Sequence, residues 1–128
     1  MEEKVIKILR RGAITCNEQM NIKEVAQIMV VNRIRYCVVV NAQNEVLGII
    51  SARSILKAFG KDLEQFKAKD ILLPHSITIT PNSTRQDAID LMVRKKIEHL
   101  IVVSDRPGSK AVLGIVQASD LVSKMGRG

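Results

Sequence analysis

The amino-acid sequence matches itself. Displaced by 63 positions, residues 5–40 fall on residues 68–103 without a gap, and Ile8/Ile71, Leu9/Leu72, Ile14/Ile77, Thr15/Thr78, Met29/Met92, Val30/Val93, Ile34/Ile97, Val39/Val102 and Val40/Val103 are identical pairs. The second copy then gains three residues within Ser104-Asp-Arg-Pro-Gly-Ser-Lys-Ala, a turn-rich stretch where length is free to vary. Beyond it the match resumes at a displacement of 66, with Val46-Leu-Gly-Ile on Val112-Leu-Gly-Ile and Ala52 on Ala118. Exchanges such as Ile28/Leu91, Val38/Ile101, Ile50/Val116 and Ile55/Leu121 keep apolar positions apolar. Self-similarity at a fixed period marks repeated supersecondary units, here assigned to residues 5–60 and 68–125.

Within each copy the pattern reads β-α-β-β-α, an α/β (α+β) fold. A short strand at 13–16 or 76–80 comes first. A helix follows at 22–32 or 85–95, opened by Asn21-x-x-Glu24 or Thr84-x-x-Asp87, both capping-box patterns. Ile22, Val25, Ala26 and Met29 in one helix, and Ala88, Ile89 and Met92 in the other, recur at helical spacing. Two β-branched runs, 36–40 with 46–50 and 100–103 with 112–116, predict a hairpin. A last short helix carries Ile55, Leu56 and Phe59, or Leu121, Val122 and Met125. The charged stretch at 60–69 is a linker, partly helical. Neither copy can cover both faces of its small sheet. Two alike copies packed sheet to sheet about a pseudo-twofold axis would do so, and clefts where such copies meet suit small ligands.

Composition narrows the function. Lys and Arg outnumber Asp and Glu by 20 to 13, a formal charge of +7 that favours phosphorylated or otherwise anionic partners. Tyr36, Phe59 and Phe66 are the only aromatic residues, so base stacking on aromatic rings, the usual route to single-stranded nucleic acid, is poorly supported. No apolar run approaches the roughly 20 residues that span a bilayer, and Met1-Glu-Glu-Lys-Val lacks the apolar region of a signal peptide. The expectation is a cytoplasmic protein that does not enter a membrane. Cys16 and Cys37 sit in apolar runs and read as small buried hydrophobes. No Cys/His cluster has zinc spacing, and no nucleophile elbow, phosphate-binding lysine loop or Ser/His/Asp arrangement is present, so no catalytic or metal-ligating residue is assigned.

The sharpest motif closes each copy, where the second hairpin strand runs into a helix as Gly48-Ile-Ile-Ser51-Ala-Arg-Ser54 and Gly114-Ile-Val-Gln117-Ala-Ser-Asp120. A hydroxyl followed three residues later by an acid at a helix start is also an ordinary capping box. Taken with the repeat, with Met29 and Met92, and with the runs Ile34-Arg-Tyr-Cys-Val-Val-Val and Ile97-Glu-His-Leu-Ile-Val-Val, it resembles a tandem pair of CBS (cystathionine beta-synthase) domains, a Bateman module, over roughly residues 5–125.

That resemblance implies a regulatory module, not an enzyme. It would bind AMP, ADP, ATP or S-adenosylmethionine as a regulatory ligand, with no cofactor, and signal to a partner protein in trans, commonly as a homodimer. In the family the hydroxyl of the Gly-x-x-(Ser/Thr)-x-x-Asp motif meets phosphate, the acid takes the ribose hydroxyls, and a site joins the acid of one copy to an adenine wall from the other. Both copies depart from the pattern. The second keeps Asp120 but has Gln117 at the hydroxyl position, with Ser119 as a substitute. The first keeps Ser51 but has Ser54 where the acid belongs. The resemblance therefore implies one competent site, with Asp120, Ser119 and Gln117 facing Ile14, Thr15, Ile34, Arg35 and Tyr36. It implies a degraded one with Ser51, Ser54, Ile77, Thr78 and His99, where Glu98 would repel phosphate. The alternatives are a CBS pair that has lost ligand binding and serves dimerisation or partner contact, and a weak nucleic-acid binder.

Overall fold

The computed structural model describes residues 2–73 and 78–127. A 3-10 turn at Val5–Lys7 leads into β1 (Arg10–Arg11), β2 (Thr15–Asn17), α1 (Ile22–Asn32), β3 (Tyr36–Val40), β4 (Val46–Ser51), α2 (Ala52–Leu56) and α3 (Ala68–Ile71). The chain continues through β5 (Thr78–Ile79), α4 (Arg85–Lys95), β6 (His99–Val103), β7 (Val112–Gln117) and α5 (Ala118–Gly126). The fold is mixed α+β. The two long helices have the predicted bounds. Of the strand predicted at 76–80, residues 76 and 77 lie outside the described residues. Phe59 is not on α2, which ends at Leu56; it follows the helix and is 89% exposed.

Two compact units divide the chain: Ile14–Ser76, and Met1–Ala13 with Ile77–Gly128. In the first, β2 pairs in parallel with β3 and β3 antiparallel with β4. In the second the order is β1-β7-β6-β5, with β5 parallel to β6 and both other pairings antiparallel. Each hairpin shifts register at the same place, between Val39 and Val40 and between Val102 and Val103.

The helices form for reasons written locally. Asn21 and Thr84 accept from the Glu24 and Asp87 amides, and those acids accept from the cap amides in return. Two of the orphan donors at each helix start are thereby satisfied. The far ends are less usual. Arg33 and Lys96 take left-handed backbone, φ 54° and 56°, where glycine is the common choice. The Ile34 and Ile97 amides reach back to the Met29 and Met92 carbonyls at 3.0 and 3.1 Å, closing the last turn. Met29 and Met92 are then 6% and 7% exposed, each inside the core of its own unit, so neither methionine is available as a contact with another chain.

The cores are separate clusters of matching make-up. Cys16, Val25, Met29, Cys37, Val39, Ile50 and Ala68 fill one; Val5, Ile79, Ala88, Met92, Leu100, Val102, Val116 and Leu121 lie in the other. Both thiols are buried. The Cys37 thiol donates to the Ile14 carbonyl at 3.8 Å, and its pKa is pushed up by hydrogen bonding with Cys16 and by burial.

Ala68 and Val5 show that each unit takes its first turn from the other sequence repeat. The Ala68 amide donates to Met20 O (2.7 Å), Lys69 to Glu18 O (3.0 Å), and Ile22 to Phe66 O (2.9 Å). The corresponding bonds, displaced by 63 positions, are Val5 to Ser83 O (2.7 Å), Ile6 to Pro81 O (3.1 Å) and Arg85 to Glu3 O (2.7 Å). The segment then pairs antiparallel with the last strand: Leu73 bridges Ile49 of β4, and Arg10 pairs with Ile115 of β7.

Candidate functional site

The strand-to-helix turn that ends each repeat is built the same way in both units. The Ala52 amide donates to Arg35 O, and the Ala118 amide to Glu98 O, each at 2.9 Å. Backbone bonds thus pin the helix start to the residue just before the middle strand. The glycines of the motif make room for that paired segment. A Cβ on Gly48 would strike the Leu73 carbonyl, and one on Gly114 the Arg10 carbonyl.

The side chains then part company. Ser51 caps α2, accepting from the Ser54 amide at 3.2 Å, and Ser54 Oγ accepts from the Ser51 amide at 3.3 Å. The two hydroxyls also meet at 3.2 Å, and Ser54 is only 6% exposed. The motif of the first repeat is therefore consumed in holding its own helix. Gln117 stands at the N-cap of α5 and makes no capping bond with its side chain. Asp120, in the first turn, sends both oxygens to Arg10 of β1. Nε donates to Oδ2 at 2.8 Å and Nη2 to Oδ1 at 2.7 Å, the parallel fork that arginine makes with a carboxylate. The Arg10 guanidinium holds the Asp120 carboxyl below the usual carboxylate range, against a smaller effect of burial. Its side chain is 25% exposed, and that of Arg10 is 63% exposed.

Sequence reasoning left Arg10 out, though the repeat carries a signal for it. Arg10 aligns with Leu73, and Asp120 with Ser54. Both members of the ion pair change together in the other copy. There Ser54 and Leu73 line an open pocket of about 240 Å³ with Lys57, Lys61, Phe66 and Asp70.

The remaining predicted residues sort by unit. Thr15 lies on β2 opposite Val38; Ile14 and Ile34 pack against that unit's core; Arg35 is exposed and Tyr36 buried at the start of β3. All five belong to the unit Ile14–Ser76, whereas Gln117, Ser119 and Asp120 belong to the other. Ser119 is exposed and its hydroxyl reaches the Gln117 side chain at 3.4 Å. Of the degraded set, Ser51 and Ser54 meet as described, Thr78 is exposed on β5, and His99 is half-buried opposite Gln117. Ile77 lies outside the described residues. Burial lowers the His99 pKa, partly offset by Glu98.

The CBS domain family model matches residues 5–61 and 68–127. A protein of Methanopyrus kandleri is 30% identical over 119 residues, 91% of this chain and 59% of that protein. The inosine-5'-monophosphate dehydrogenase of Korarchaeum cryptofilum is 32% identical over 111 residues, 87% of this chain but 22% of the enzyme. Among solved structures, the CBS domain pair of protein MJ0100, in complex with 5'-methylthioadenosine and S-adenosyl-L-methionine, superposes with a TM-score of 0.87 at 24% identity, covering 99% of this chain and 98% of that one. The CBS domain of a bacterial CNNM/CorC family Mg2+ transporter in complex with ATP gives 0.86 at 16% identity, covering 97% and 87%. At these identities the likeness establishes the fold.

Proposed function

This chain belongs to the CBS domain family, and on that premise we propose that it is a regulatory module that binds an adenosine nucleotide through Asp120. The carrying observation is that Asp120 stands in the first turn of α5, charged and partly exposed, and is not used to cap its helix. A carboxylate with two oxygens can accept both hydroxyls of a ribose diol. Similar CBS modules hold 5'-methylthioadenosine, S-adenosylmethionine and ATP. In this reading the module is not a catalyst. It works in the cytoplasm as a homodimer and passes its bound state to a separate effector protein. Among the described residues no helix is long and apolar enough to cross a membrane. The degraded motif around Ser51 and Ser54 contributes no ribose acceptor.

Calorimetric titration with AMP, ADP, ATP and S-adenosylmethionine tests this. Two charge-assisted hydrogen bonds contribute about 1.5–3 kcal/mol apiece, so Asp120→Ala is expected to weaken the preferred ligand by at least about tenfold. Ser54→Ala should leave affinity unchanged, because that hydroxyl is engaged by Ser51. A second reading, a module for dimerisation or partner contact alone, is favoured by the closed Ser51–Ser54 box. It stands if wild type binds none of the four, or if Asp120→Ala binds them as wild type does.

A further inference from the structure

We propose that Arg10 is the residue that sets ligand charge preference, by competing with ribose for Asp120 and being recaptured by phosphate. This rests on the reading of Asp120 as the ribose acceptor. The guanidinium and the carboxylate meet edge to edge, with both oxygens engaged at 2.8 and 2.7 Å. A vicinal diol that chelates a carboxylate addresses the same edge, between the same two oxygens. The outer lone pairs can accept single hydrogen bonds but cannot chelate. Ribose therefore enters only as Arg10 leaves.

Arg10 is able to leave. Its backbone is fixed by pairing with Ile115, while its side chain is 63% exposed on a long flexible stem. Where it goes depends on the ligand. A phosphate offers the displaced guanidinium a new bidentate partner, which repays the lost ion pair. Adenosine offers none, and the sulfonium of S-adenosylmethionine adds a positive charge beside it. The site then prefers phosphorylated adenosine over neutral or cationic adenosyl compounds. The internal repeat agrees: the copy that lost the acid, at Ser54, also lost the arginine, at Leu73.

The test is calorimetry of wild type, Arg10→Gln and Arg10→Lys with adenosine, AMP, ATP and S-adenosylmethionine at low salt. The melting temperature of each variant serves as a folding control. In Arg10→Gln, adenosine and S-adenosylmethionine should tighten about fivefold, the scale of a surface ion pair no longer broken. The preference for ATP over adenosine should shrink by at least about tenfold. Arg10→Lys, which keeps the charge but not the fork, should bind adenosine more tightly than wild type and retain much of the ATP preference. If adenosine weakens or is unchanged in Arg10→Gln while wild type binds nucleotides, Arg10 orients Asp120 rather than competing for it, and this proposal falls while the function stands. If no form binds any of the four compounds, both fall.

Discussion

His99 shows how one side chain ties stability to pH. It lies half-buried on β6 opposite Gln117, and burial lowers its pKa below the ordinary 6.5, with Glu98 pulling the other way. The unfolded chain therefore takes up a proton at a higher pH than the folded one. Stability from this residue is complete above about pH 6.5 and is lost as pH falls through the folded pKa. Melting temperature should drop between pH 7.5 and 5.5 in wild type and drop less in His99→Gln. Identical pH profiles for the two proteins would show that burial of His99 is not coupled to folding. Asp120 acts at a lower pH: its carboxyl is held charged by Arg10, so that contribution persists through neutrality and disappears only in acid.

At the scale of elements, the close pairing of β1 with β7 explains why the motif needs glycine. The backbone carbonyl of Arg10 lies where a Gly114 Cβ would be, and the Leu9 side chain closes the same space. The obstruction is backbone, so the strands must separate to admit a methyl group. Gly114→Ala is expected to destabilise the protein by about 1–3 kcal/mol, the range for overpacking. Gly126, near the end of α5 with nothing within 4 Å of its missing Cβ, is the control: Gly126→Ala should be neutral or stabilising. Thermal denaturation of the two variants reads the contrast directly. An equal effect at both positions would mean that the β1–β7 pairing yields easily, and the ion pair it positions would then be less well fixed than the fork geometry implies.

On the scale of the whole molecule, the first turn of each sequence repeat is part of the unit built mainly from the other repeat. Val5 is fully buried in the cluster of Leu100 and Val102, and Ala68 in that of Cys37 and Val39. Cooperative opening follows packing, so the lent turns should open with their hosts. Native-state hydrogen exchange in low denaturant is expected to give the Val5 and Ile6 amides the opening free energy of Leu100–Val102 strand amides. Those of Ala68 and Lys69 should follow Cys37–Val39. Turns that exchanged instead with the strands of their own sequence repeat would contradict the exchange.

Much of this was legible along the chain because it is local. Asn21 with Glu24 and Thr84 with Asp87 mark helix starts through bonds spanning three residues, and pairs of β-branched runs with a turn between them mark the hairpins. The repeat doubles every such signal, which is why the bounds of α1 and α4 came out as expected and the family could be identified from the residues. Local pattern says nothing about which surface a segment meets at long range. Residues 5–11 and 68–73 look like the opening of their own repeats, yet each segment belongs to, and is hydrogen-bonded within, the unit built mainly from the other repeat. Nor does Gly-x-x-x-x-x-Asp spacing disclose whether an acid caps its helix or faces an arginine. Ser54 and Asp120 stand at the same place in the motif. Ser54 turns back to Ser51, whereas Asp120 turns out to Arg10, 110 positions away along the chain. Only the tertiary fold, by pairing β1 with β7, brings that guanidinium to the carboxylate, because an ion pair depends on distance in space and the sequence records only distance along the chain.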